Sequence, residues 1–101
     1  MVNKIKNFEE RNFVIYLLLC SDKSYYTGVT NNIENRLNKH NDGTGAKYTR
    51  SRRPVSLLRC IGDFTKSIAL SLEYKIKSMS KMNKIDFIDG LLENGCVDRM
   101  L

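Results

Sequence analysis

The chain has 101 residues, 42% of them hydrophobic, and a formal net charge of +6. That length fits one domain with a modest core and argues against wholesale disorder. The longest apolar run, Phe13 to Cys20, is far too short to span a bilayer, and no secretory signal precedes it. A basic balance favours polyanions as partners, either nucleic acid or an acidic membrane surface.

Residues 1–11 are polar and charged and read as an N-terminal arm. The domain is expected over 12–92 and a C-terminal tail over 93–101. Strand one runs from about Asn12 to Cys20, with apolar residues at both parities, so it should be covered on both faces and sit centrally. Ser21-Asp22-Lys23-Ser24 is a turn, and Tyr25 to Thr30 is a second strand rich in aromatic and β-branched residues. Four intervening residues cannot make a parallel crossover, so the two strands form an antiparallel hairpin.

The period then changes. Asn31, with Glu34 three residues on, resembles a helix-starting box, and Ile33, Arg36, Leu37 and His40 follow at helical spacing. Asn41 to Gly45 stops that helix. A basic loop, Ala46 to Pro54, leads into strand three, Val55 to Ile61. Thr65 caps a helix whose stripe is Ile68, Ala69, Leu72, Ile76 and Met79. A shorter helix carries Met82, Ile85 and Ile88 and ends near Gly90. The order is β-β-α-β-α-α, an α/β layer fold.

Three cysteines, Cys20, Cys60 and Cys96, form no CxxC pair. A disulfide framework is not expected, a reducing intracellular compartment fits, and the spacings to His40 match no zinc pattern.

Chemistry-bearing residues lie at definite places in this order. Tyr16 and Tyr26 share a face of the hairpin if the turn holds three residues or five, and a one-residue slip separates them. Either tyrosine alone is an ordinary strand residue. Gly28 would let something approach the backbone closely. Arg36 and His40 lie four apart on one helix face, flanked by Ile33 and Leu37, where an arginine is costly unless it meets an anion. Glu73 sits at the edge of the apolar stripe of its helix. It could reach a site on the sheet or simply pair with Lys77 at the favourable i,i+4 spacing. Lys47, Tyr48, Arg50, Arg52 and Arg53 crowd one loop without an acidic residue. Such cations can neutralise phosphates, and the tyrosine could stack on a base.

The motifs Val14-Ile15-Tyr16 and Tyr26-Thr27-Gly28 followed by Arg36, His40 and Glu73 resemble the GIY-YIG endonuclease superfamily, and its small stand-alone members most closely. Gly43-Thr44-Gly45-Ala46-Lys47-Tyr48-Thr49-Arg50 and Glu73-Tyr74-Lys75-Ile76-Lys77 add to the likeness, which spans about residues 12 to 90. The resemblance implies a small three-stranded antiparallel sheet flanked by helices. It also implies hydrolytic cutting of DNA, as in repair or recombination, with one Mg²⁺ or Mn²⁺ ion. By the same resemblance Tyr16 and Tyr26 match the motif tyrosines, Arg36 the phosphate clamp, His40 an auxiliary base or positioning group, and Glu73 the metal ligand. Val14 and Thr27 replace a glycine and an isoleucine of the motif, neither of which supplies reacting atoms. Tyr16 and His40 both remain open as the general base. A catalytically silent nucleic-acid-binding module of the same fold is the alternative. The expected setting is the cytoplasm, or the nucleus of a eukaryotic or viral host, as a monomer or weak homodimer bound to DNA and not to membrane.

Overall fold

Seven consecutive apolar or aromatic residues make β1 (Phe13–Leu19) the centre of the sheet. The computed structural model describes residues 10–93 and 97–98. Strands β2 (Tyr25–Thr30) and β3 (Ser56–Phe64) flank β1, both antiparallel to it. Two further residues, β4 (Val97–Asp98), pair antiparallel with Ile61 and Gly62 and extend the sheet to the order β2-β1-β3-β4. The expected three-stranded sheet is therefore present, with a two-residue addition drawn from the segment read as a tail. The rest of that tail, with Cys96, and residues 1–9 of the expected arm lie outside the described residues.

The hairpin turn decides the register. Cys20 N–H donates to the Ser24 carbonyl and Lys23 N–H to the Cys20 carbonyl, both at 2.9 Å, so Ser21, Asp22 and Lys23 form the loop. Lys23 takes φ +74°, the left-handed residue that closes such three-residue hairpins. Asp22 locks the turn by accepting from the backbone N–H and hydroxyl of Ser24. Leu18 then faces Tyr26 and Tyr16 faces Gly28.

Alternation gives β1 two apolar faces. Val14, Tyr16, Leu18 and Cys20 join Val55 and Cys60 in one core, against Ile33 and Leu37 of α1 (Ile33–Asp42). Ile15, Leu17 and Ile61 form the other with Ala69 and Ile76 of α3 (Lys66–Lys77) and Ile88 of α4 (Lys81–Glu93). An Arg59–Asp89 ion pair at 2.8 Å ties β3 to α4. Cys20 and Cys60 are buried thiols outside any disulfide.

Several sequence expectations shift. Asn32, not Asn31, caps α1, its side chain accepting from Asn35 N–H at 3.0 Å. The Thr30 hydroxyl takes the Asn32 N–H, which places the helix start one residue later. The basic loop contains a one-turn helix, α2 (Lys47–Arg50). Thr65 caps α3 as expected, but Ile68 is 48% exposed, so the buried stripe is narrower than the pattern suggested. Helix α4 runs through Gly90 to Glu93, because Leu91 and Leu92 continue its contacts with the second core and burial outweighs the glycine.

Thr27 occupies the odd face, opposite Leu17, and its hydroxyl is buried with no hydrogen-bond partner. A buried unsatisfied hydroxyl costs about 1–3 kcal/mol. Thr27→Val should therefore stabilise the protein by about 1 kcal/mol, read as a higher denaturation midpoint at unchanged slope. A lower midpoint would show that the hydroxyl contributes to stability.

Candidate active site

The turn register places both motif phenols on the α1 face, with the Tyr16 and Tyr26 ring centroids 6.4 Å apart. Tyr16 crosses directly over Gly28. A Cβ there would stand 2.3 Å from the Tyr16 hydroxyl and 2.4 Å from its Cζ. The close approach that Gly28 permits is thus that of the catalytic candidate itself, not of an outside ligand.

Helix α1 delivers the next two groups from one face. His40 is fully buried, and its Nε2 lies 2.9 Å from the Tyr16 hydroxyl. Arg36 donates from Nε to the same hydroxyl at 3.4 Å. The other imidazole nitrogen, Nδ1, is 2.8 Å from the hydroxyl of Thr49 on α2. That hydroxyl has one proton, which goes to the Ala46 carbonyl 3.0 Å away, a group that can only accept. Nδ1 therefore carries the ring proton and donates to Thr49, which leaves the Nε2 lone pair to accept from Tyr16 O–H. A directed chain results, from Tyr16 through His40 and Thr49 to Ala46. Gly45 makes room for it, since a Cβ there would meet His40 Nδ1 at 2.7 Å and its Cα at 2.8 Å.

The electrostatics agree with those proton positions. Burial pushes the Tyr16 phenol up to about 12, against a hydrogen bond from Arg36 that pulls it down; Tyr26 and Glu73 push it further up. Burial also holds His40 below its ordinary value, helped by the Arg36 charge. Tyr16 is thus a protonated donor and His40 a neutral acceptor at pH 7.

Glu73 comes from α3. Its Oε2 pairs with Lys77 Nζ at 3.1 Å, the i,i+4 contact the spacing allowed, yet the carboxylate also lies close enough to Tyr16 to act on its ionisation. The Lys77 pair is therefore present, and the carboxylate still bears on the phenol. Lys77 Nζ stands 6.0 Å from the Tyr26 ring centroid, so the end of α3 reaches the phenol face past edge strand β2. The structure brings Tyr16, Tyr26, Arg36 and His40 into contact, and Glu73 lies near enough to bear on the Tyr16 phenol while its ion pair is with Lys77. Among the described residues no group of three or more His, Cys, Asp or Glu gathers there or elsewhere as a metal cage. The carboxylate of Glu73 is the one anionic donor of the cluster, a hard oxygen ligand suited to a cation that keeps most of its own waters.

The basic segment divides into two roles. Arg52 donates to Asp22 at 2.9 Å and to the Tyr48 carbonyl at 2.8 Å, and its guanidinium lies 3.8 Å over the Tyr48 ring. The Tyr48 ring also stacks on Tyr26, centroid to centroid at 5.9 Å. Tyr48 is thus engaged by both Arg52 and Tyr26 while staying 39% exposed, and Arg52 serves as a staple between the hairpin turn and α2. Lys47, Arg50 and Arg53 remain exposed and form no ion pair among the described residues. The residue that sequence reasoning missed is Thr49. Its only signal was the need of a buried His for an Nδ1 partner, and no periodicity points at it.

The order of these groups along the chain is that of a known domain. The family model described as the GIY-YIG catalytic domain matches residues 12–86. The chain belongs to the GIY-YIG family. A UPF0213 protein of Bacillus velezensis is 44% identical over 81 residues, covering 80% of this chain and 82% of that one. A UPF0213 protein of Staphylococcus saprophyticus is 50% identical over 74 residues, covering 73% and 90%. The solution NMR structure of an E. faecalis protein superposes with a TM-score of 0.55 at 38% identity, over 84% of this chain and 93% of that one. In this GIY-YIG chain the departures at Val14 and Thr27 leave the β1–β2 pairing intact, Val14 as part of the first core and Thr27 on the opposite face.

Gly28→Ala should force the Tyr16 ring away and destabilise the fold by about 1–3 kcal/mol, the usual range for overpacking. Chemical denaturation measures this, and an unchanged midpoint would mean that the ring has room to move. The second expectation concerns pH. The folded pKa of His40 lies below its unfolded value of 6.5, so the unfolded chain binds more protons in that window. Stability should fall as pH drops below about 6.5, before the carboxylates titrate, and His40→Gln should flatten that part of the stability–pH curve. A slope that persists in the variant would place its origin elsewhere.

Proposed function

We propose that this GIY-YIG protein is an endonuclease that hydrolyses phosphodiester bonds in DNA with one Mg²⁺ or Mn²⁺ ion. The observation that carries the reading is the Tyr16 hydroxyl, held between a hydrogen-bond donor, Arg36, and a buried neutral imidazole, His40. Membership of the family supports it, as does a net charge of +6 with free cations beside the cluster.

Hydrolysis needs a water oxygen to attack phosphorus, a proton to leave that water, and the P–O bond to a sugar oxygen to break. Tyr16 and His40 together can take the proton. With the phenol pushed up to about 12 and His40 held below its ordinary value, a phenolate made in advance is strongly disfavoured at pH 7. Tyr16 therefore acts in concert with attack: it accepts the water proton as it passes its own to Nε2. His40 is buried and engaged at both nitrogens, so it works through Tyr16 rather than on water directly. On this reading the base is a two-residue relay of Tyr16 and His40. Arg36 faces both phenols, and its charge is suited to a nonbridging phosphate oxygen and to the developing negative charge. Tyr26 packs edge-on against His40 at 5.2 Å and walls the site. Glu73 would hold the divalent ion, which supplies Lewis acidity to the phosphate and its departing oxygen.

Plasmid or branched-DNA cleavage tests this directly. Wild-type protein should cut with Mg²⁺ or Mn²⁺ and stop with EDTA. Glu73→Gln should lose about 10²–10³-fold in rate, the scale of one electrostatic contact to developing charge. Tyr16→Phe should lose roughly 10²–10⁴-fold, the scale of general acid–base help. Salt-sensitive DNA binding with no metal-dependent product would establish the binding-only module instead.

A further inference from the structure

Beside the cluster lies a basin that the proposed chemistry does not use. It has a volume of about 550 Å³ and is lined by Asn41, Arg50, Ser51, Arg53 and Pro54. Asn41 follows His40 and Arg50 follows Thr49 in the chain, so the basin is lined from the same two helices that make the His40–Thr49 hydrogen bond.

Its walls are fixed. The Asn41 side chain is held by Val55 in both directions, donating to the carbonyl at 3.0 Å and accepting the N–H at 2.8 Å. Arg53 donates from Nε to the Arg50 carbonyl at 2.8 Å and from Nη1 to the Asn41 carbonyl at 3.5 Å. Gly43 leaves the space this guanidinium needs, since a Cβ there would lie 2.8 Å from Nη1. Those bonds engage Nε and Nη1 and leave Nη2 without a hydrogen bond among the described residues.

The C-terminal end of a helix ordinarily repels anions. Here the last carbonyls of α1 are covered: Lys39 by Thr44 N–H, His40 by Gly43 N–H, and Asn41 by Arg53. Arg50 and Arg53 form no ion pair among the described residues. The nearest acid in play is Asp42, whose carboxylate accepts from the Thr44 backbone and hydroxyl and feels Lys39 and Arg53 electrostatically. Two guanidiniums and Lys39 outweigh that single charge.

We propose that this basin is a second phosphate-binding site, taking a phosphate group of the nucleic acid beside the residues that carry His40 and Thr49. Arg50 supplies a mobile guanidinium, Arg53 a fixed one and Ser51 a hydroxyl, a donor set matched to tetrahedral oxygens. The phosphate is either internal to the strand or terminal, and both share this chemistry. That the anion belongs to nucleic acid rests on the proposed function; the site itself does not depend on cleavage.

Binding is measured in EDTA, where no cutting occurs, by fluorescence anisotropy of one duplex carrying a 5′-hydroxyl or a 5′-phosphate across a salt series. Arg50→Gln is the test variant, because the Arg50 side chain makes no described contact, and its melting temperature checks the fold. The expected result is a roughly five- to ten-fold weaker affinity at moderate salt, with the slope of log K against log salt reduced by about 0.9, one phosphate contact. Equal weakening of both duplexes assigns an internal phosphate; weakening confined to the 5′-phosphate duplex assigns a terminal one. Pyrophosphate titrated against wild type should shift the Arg50 and Arg53 side-chain resonances in NMR, and Arg50→Gln should lose that response. An unchanged salt slope, or no movement of those resonances, overturns the proposal while leaving metal-dependent cleavage to stand or fall separately.

Discussion

A phenol laid over a missing side chain organises this molecule. The Tyr16 hydroxyl fills the volume that a Cβ on Gly28 would need, so ring and backbone touch across the β1–β2 pair. Only one register allows that contact. It is enforced by the three-residue turn, where Asp22 grips Ser24 and Lys23 takes a left-handed conformation. A slip by one residue would turn every side chain of β2 to the other face. The turn thus lies upstream of the chemistry: it sets the register, which sets where Tyr16 rests, which sets where His40 and Arg36 can meet it.

The imidazole is constrained just as tightly. Buried polar groups are costly unless paired, and His40 is paired at both nitrogens. Thr49 can serve Nδ1 because its own proton is committed to Ala46. One hydroxyl on a single-turn helix therefore fixes a tautomer two groups away and orients the Tyr16 proton. The Asp22–Arg52–Tyr48–Tyr26 series links the same turn to the same short helix from the other side. Residues that look like a uniform basic loop by composition are partly a mechanical brace.

What the sequence made legible follows from the range of each signal. The central placement of β1 and the sharing of a face by Tyr16 and Tyr26 were readable, because alternation and turn length are local rules. The helix positions of Arg36 and His40 were readable for the same reason. The division of labour among Arg50, Arg52 and Arg53 was not, since it depends on Asp22, some thirty residues away in the chain. Thr49 was invisible because nothing in helical or strand periodicity distinguishes a threonine that bonds to a histidine from one that merely fills space. Gly90 misled because a helix ends where burial ends, and Leu91 and Leu92 still had a core to meet.

The two halves of the cluster differ in rigidity, and that difference bears on the proposed reaction. Tyr16 and His40 are buried and locked by packing, so their geometry carries little cost of reorganisation when charge develops. Among the described residues Glu73 pairs with the half-exposed Lys77, an i,i+4 pair of a kind worth well under 1 kcal/mol. Such a pair cannot be what positions the carboxylate; the packing of α3 through Ala69 and Ile76 does that. Lys77 neutralises Glu73 weakly, and in the proposed reaction it would yield to a divalent cation. Were the proposed reaction to run here, a rigid Tyr16–His40 pair beside a carboxylate with a displaceable partner would prepare the proton path in advance and leave the proposed metal position open to exchange.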